Sequence, residues 1–165
     1  MYRICVVLIL LLTTSYSACA AQWLEEHELE FDIFDLQVGK ELLLFESADV
    51  YYHQDRLLLP FYVVTNMLEV NLNYGPEQGA ITGLIDGKTV NFNLDDNAAL
   101  LHWPVLASRI GDELYLDRQT LEVLLNAKIQ LNMKELAVIF SANSGAFPIE
   151  KRIERSNRLA TDTQH

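Results

Sequence analysis

The alternation of apolar and polar positions changes period several times along this chain, and each change marks a new element. Glu69 to Tyr74 alternates strictly, as a strand with one buried face does; Ala80 to Ile85 runs extended, and Thr89 to Leu94 alternates again. Asp86-Gly87 between the last two is a hairpin signal, so three strands form a meander. Ahead of them Phe61, Val64, Met67 and Leu68 fall at helical spacing. That spacing predicts a short helix over Phe61 to Leu68, started by Pro60, whose fixed φ and missing N–H suit a first helical turn. Nearer the N-terminus, Phe31 and Ile33, then Phe34, Leu36 and Val38, give two runs of alternation out of phase, which predicts a strand with a bulge or bend. Glu41 to Phe45 and Asp49 to Tyr52 are two further short strand candidates, and Trp23 to Glu30 reads as a short helix or a disordered lead-in.

Part of this order comes twice. Asp55-Arg56-Leu57-Leu58-Leu59-Pro60 has a counterpart fifty-seven positions later in Asp112-Glu113-Leu114-Tyr115-Leu116-Asp117. Without a gap, Asp55, Leu57, Leu59, Leu68 and Ala80 meet identical residues, while Val64, Met67, Val70, Leu72 and Ile81 meet apolar ones. Asp117 stands where Pro60 stood, and its carboxylate is suited to cap the free N–H groups of a second helix. The pattern predicts an α+β fold of two related β-α-β-β modules with short helices and antiparallel strands. The expected boundaries are a leader over 1–20, N-terminal strands over 21–48, a first module over 49–94 and a connector over 95–110. A second module over 111–146 and a basic segment with its tail over 147–165 complete the chain. Ile149 and Ile153 predict a short helix within Phe147 to Arg158, and Thr161 to His165 reads as disordered.

The first twenty residues change where the protein is expected to work. Arg3 precedes an unbroken apolar run from Ile4 to Leu12, too short to span a bilayer and followed by small and polar residues, which is the pattern of a secretory signal peptide. Two processing chemistries remain open: cleavage after Ala18-Cys19-Ala20, or lipidation of Cys19 as the first residue of a bacterial lipoprotein. Both cysteines, Cys5 and Cys19, lie in this region, so the chain from Ala21 on has no disulfide and relies on its apolar core.

Beyond the leader the chain carries 23 acidic and 11 basic residues, which disfavours nucleic acid and anionic membrane surfaces as partners, since phosphates need clustered Lys and Arg; the exception is the short segment with Lys151, Arg152, Arg155 and Arg158. Membrane attachment is expected only through Cys19. Catalytic, cofactor and metal constellations are missing from the pattern. His27, His53, His102 and His165 are isolated from one another, and Asp95-Asp96-Asn97 lacks the glycine and distal glutamate of a calcium loop. Ser144-Gly145 sits in a small-residue turn and not in a nucleophile elbow. The residues predict no enzyme; they leave strand addition or an apolar groove as the means of binding a protein.

The run Glu41 to Leu68, the element Gly111 to Asp117 and the segment Phe147 to Arg158, in this order behind a signal peptide, resemble the periplasmic N-terminal region of outer-membrane usher-like proteins. The single repeat, with Leu58-Leu59-Pro60 leading into a helix and two strands, also resembles the N-terminal stalk module of copper amine oxidases and cell-wall proteins. The first resemblance implies a periplasmic, non-catalytic binding or assembly domain of a secretion or pilus system. Its protein partner would be a chaperone, a pilus subunit or an outer-membrane barrel. An envelope lipoprotein or stalk-like structural module is the alternative. A transmembrane barrel needs many strands of about 9 to 11 residues, which the chain ending at His165 does not hold, so an accessory domain or the front piece of a longer protein is expected.

Overall fold

Two antiparallel hairpins meet back to back at the centre of a computed structural model that describes residues 20–39 and 42–163. The leader up to the lipidation candidate Cys19, Glu41 at the start of one strand candidate, and His165 lie outside the described residues. The elements are β1 (Gln22–Leu24), β2 (Glu30–Val38), β3 (Leu42–His53), β4 (Arg56–Pro60), α1 (Phe61–Leu68), β5 (Asn71–Gly75), β6 (Ala80–Ile85) and β7 (Lys88–Asn93). After them come β8 (Leu106–Ile110), β9 (Glu113–Asp117), α2 (Arg118–Leu125), β10 (Ala127–Asn132), β11 (Ala137–Ala142) and α3 (Pro148–Asp162). Eight strands form one sheet in the order β1-β8-β9-β4-β3-β2-β11-β10, and β5-β6-β7 form a second sheet. The fold is α+β, built from two related modules.

The join between the copies has local two-fold symmetry. β4 pairs antiparallel with β9, Leu58 opposite Asp117, Leu59 opposite Leu116 and Pro60 opposite Tyr115. Leu116 is the residue fifty-seven positions beyond Leu59, so the axis passes between equivalent leucines, both fully buried. Backbone conformation repeats at the same offset. Left-handed φ values recur at Gln54 and Gly111 in the hairpin turns, at Glu69 and Asn126 where the helices end, and at Gly79 and Leu136 before the last shared strand. Such values are uncommon outside glycine, and three pairs at one spacing mark a duplicated backbone.

Each copy also secures the helix start of the other. Pro60 offers α1 no side-chain cap, and the Glu113 carboxylate of the second copy supplies one, accepting the Tyr62 N–H at 2.8 Å. The equivalent position in the first copy is Arg56, which reaches the start of α2. Its Nη2 lies 2.9 Å from Asp117 Oδ1, too oblique for a hydrogen bond, while Nη1 donates to the Pro104 carbonyl at 2.6 Å. Asp117 is 1% exposed and caps α2, accepting from the Thr120 N–H at 3.0 Å and the Thr120 hydroxyl at 2.7 Å. Oδ2, which takes the Thr120 hydroxyl, also accepts the Leu106 N–H at 2.9 Å, and the Trp103 indole N–H donates to Thr120 Oγ1 at 3.3 Å. Both helices lie on one face of the large sheet over β4 and β9. Between them and the sheet sit Phe34, Phe61, Leu59, Leu116, Leu121 and Phe140, each contributing roughly 1.5–3 kcal/mol by burial.

Burial pushes the Glu113 carboxyl above its usual range, with its hydrogen bonds from Tyr62 and Leu114 opposing the shift. A carboxyl raised in the folded state binds its proton more tightly there, so its contribution to stability is present at acidic pH and is lost as pH rises through the raised value. Urea midpoints measured against pH should therefore decline less steeply above the ordinary glutamate range in Glu113→Gln, which keeps an acceptor for the Tyr62 N–H. An unchanged profile would remove the electrostatic part of this account.

Several expectations change. The two apolar runs of β2 belong to one continuous strand, and the register irregularity falls later, between Gln37 and Val38. Phe31 and Ile33 lie on the outer face while Phe34, Leu36 and Val38 lie inward, so the phase change reflects two different apolar faces and no bulge at that point. The two strand candidates near Glu41 and Asp49 are a single strand, β3. Trp23 to Glu30 contains the end of β1 and a 3-10 turn over Glu26–Glu28. The stretch read as connector includes β8, hidden because its central Ser108 is polar yet fully buried, its hydroxyl donating to the Leu24 carbonyl at 2.8 Å. α3 runs through Asp162, beyond Arg158 and into the tail expected to be disordered; its last turns are held by a Glu154–Arg158 pair and by the Thr161 hydroxyl on the Asn157 carbonyl.

Candidate partner-binding margin

A sheet edge binds other chains when its backbone groups are free and its side chains are apolar, so the four outer strands are compared on both counts. β10 closes one end of the large sheet and is guarded by α2. The Ile129 N–H donates to Glu122 Oε1 at 2.8 Å, and Arg118 Nη1 donates to the Ile129 carbonyl at 3.4 Å. β1 closes the other end with three residues. In the small sheet the Tyr62 hydroxyl donates to the Tyr74 carbonyl of β5 at 3.2 Å, and β7 presents the polar Lys88, Thr89 and Asn91.

A different margin lies inside the large sheet. β11 pairs with β2 only from Asp35 to Val38, because Leu136, at φ 49°, turns the chain away. No strand among the described residues pairs with Glu30 to Phe34 on that side, although β3 holds the whole opposite side from Glu30 on. The Asp35 N–H points to the β11 side, meeting the Leu136 carbonyl at 2.9 Å. Strand alternation sends the amides of Ile33 and Phe31 the same way. Ile33 has its N–H on the carboxylate of its neighbour Asp32 at 2.8 Å. Phe31 is 56% exposed and Ile33 51%, with Leu136 and Met133 exposed at the end of the neighbouring hairpin. Phe31 leans on Tyr51, centroids 5.6 Å apart, and Tyr51 meets Tyr115 edge to face at 4.9 Å. Burial, with nearby carboxylates, pushes the Tyr51 and Tyr115 hydroxyls up, and Tyr51 adds to the shift at Tyr115, so this aromatic row stays neutral.

The sequence-level candidates are placed elsewhere. His27 and His102 are exposed and apart, and His53 Nδ1 lies 3.3 Å from the Glu28 carbonyl. Asp95 and Asp96 donate their N–H groups to Asn93 Oδ1, while Asn97 Oδ1 accepts the Asn93 N–H, so this loop folds upon itself. Ser144 is exposed in the turn after β11. Among the described residues there is no group of three or more His, Cys, Asp or Glu placed to hold a metal, and no helix long and apolar enough to cross a membrane. A cleft of about 310 Å³ is lined by Asp55, Arg56, Asp117, Arg118 and Gln119, but its charges serve the fold, Arg56 on Asp117 and Arg118 on Ile129. Phe31 and Ile33 were legible only as apolar residues; that the edge beside them is open depends on where β11 begins. No family model, curated protein or solved structure matches this chain.

Proposed function

We propose that the chain is a non-catalytic, exported binding and assembly domain of an outer-membrane usher-like secretion or pilus system. It works in the periplasm and receives a protein partner, a chaperone, a pilus subunit or a barrel protein, along the β2 margin. One observation supports this reading above the rest: an unpaired strand edge coincides with exposed Phe31 and Ile33, whereas the ends at β10 and β5 are guarded. The polar clusters elsewhere are spent on helix caps and turns, which supports a role in binding over one in bond making.

A photoreactive amino acid placed at Ile33 in the intact envelope tests the reading. The expected result is a covalent adduct with an assembly component of the same secretion system, absent when the probe stands at Val123, which is equally exposed on α2. Adducts of the same composition from both positions, or none from Ile33, would defeat it.

A further inference from the structure

Resting on that reading, we infer that the β2 margin takes an extended partner segment whose apolar residues alternate with Lys or Arg, added as a further strand beside Phe31 and Ile33. The backbone carries the first part of the argument. β2 is held along its whole length by β3, so the unpaired stretch from Glu30 to Phe34 is already in strand conformation and loses little freedom on pairing. The slot is the one β11 occupies further along, vacated where Leu136 turns away. The Asp32 carboxylate on the Ile33 N–H is a bond between neighbours, which an incoming carbonyl replaces without disturbing the sheet.

Side chains and charge define the occupant. On the outer face, apolar residues of an added strand would lie beside Phe31 and Ile33, the cross-strand pairing that stabilises sheets. From Ala21 to Gly39 there are six carboxylates, at Glu25, Glu26, Glu28, Glu30, Asp32 and Asp35, and no Lys or Arg. β3 adds Glu46 and Asp49 across from Leu36 and Ile33, and Lys134 in the β10–β11 turn is the nearby exception. Such a field draws a basic segment and repels an acidic one. It also disfavours a second copy of this chain, whose own β2 would bring the same carboxylates against these, and an anionic membrane surface.

The test uses the 15N-labelled chain from Ala21 on and three synthetic peptides. The first has the sequence Lys-Val-Arg-Ile-Lys-Val with blocked ends. The second carries Glu at each basic position, and the third has every backbone amide N-methylated so that neither of its edges can donate to the β2 backbone. The first peptide should shift the Phe31 and Ile33 resonances and slow exchange of their amides. The other two should bind about tenfold more weakly or less. Equal binding by the N-methylated peptide, equal binding by the acidic one, shifts centred on β7 or α3, or no binding by any of the three would each overturn the inference. Its fate is separable from that of the assembly reading. An Ile33 adduct in the envelope together with equal binding of the N-methylated peptide would keep the reading and remove strand addition. The expected peptide series without such an adduct would do the reverse.

Discussion

Replacing Asp117 with alanine is expected to lower the unfolding free energy by about 3–5 kcal/mol, the cost of removing a buried carboxylate that carries three hydrogen bonds and faces a guanidinium. The carboxylate is 1% exposed and receives the Thr120 N–H and hydroxyl and the Leu106 N–H, with the Arg56 guanidinium beside it. Alanine strands all of these at once: the start of α2 loses its cap, β8 loses a tie to β9, and Arg56, 23% exposed, is left without a counter-charge. Urea denaturation should show a lower midpoint with an unchanged slope. Asp117→Asn, which keeps an acceptor for Thr120, should cost less, and Arg56→Met in the Asp117→Ala background should restore part of the loss by removing the orphaned charge. A loss below about 1 kcal/mol for Asp117→Ala would mean that the cross-copy network is incidental to stability.

That network also marks where reading the sequence stops. The repeat was legible because leucines keep their spacing, and the helix over Phe61–Leu68 was legible to the residue because Pro60 starts it and the apolar positions follow one face. The reciprocal capping was not, since the equivalent positions Arg56 and Glu113 carry opposite charges and act on the other copy's helix. The repeated left-handed positions were equally hidden, because Gln54, Glu69 and Leu136 carry no glycine or asparagine signal, although Gln54 lies in a hairpin turn and Glu69 ends α1. β8 is not legible as a strand because its buried Ser108 breaks the apolar pattern while satisfying itself on Leu24. Periodicity fixes which residues turn together, and tertiary packing decides which face is covered: within one stretch Phe34 is fully buried while Phe31 and Ile33 are exposed.

The same limit applies to the candidate site. Phe31 and Ile33 alternate as a buried face would, and four carboxylates between Glu28 and Asp35 alternate with them or flank them, so in sequence the stretch is an ordinary amphipathic strand. What makes it a candidate is that β11 begins only at Ala137, beside Asp35, a long-range pairing that no local pattern announces.

Because both side chains are more than half exposed, they can be changed with little effect on the fold, which makes them the direct test of the account. On the proposed role in a secretion or pilus system, cells whose only copy of the protein carries Phe31→Ser and Ile33→Ser should lose surface output of that system about tenfold or more, as expected when apolar anchors of an interface are removed. The thermal midpoint of the purified variant should stay within about 4 °C of the parent. Output at the parental level, with both serines in place and the fold intact, would contradict the claim that the β2 margin is where this protein works.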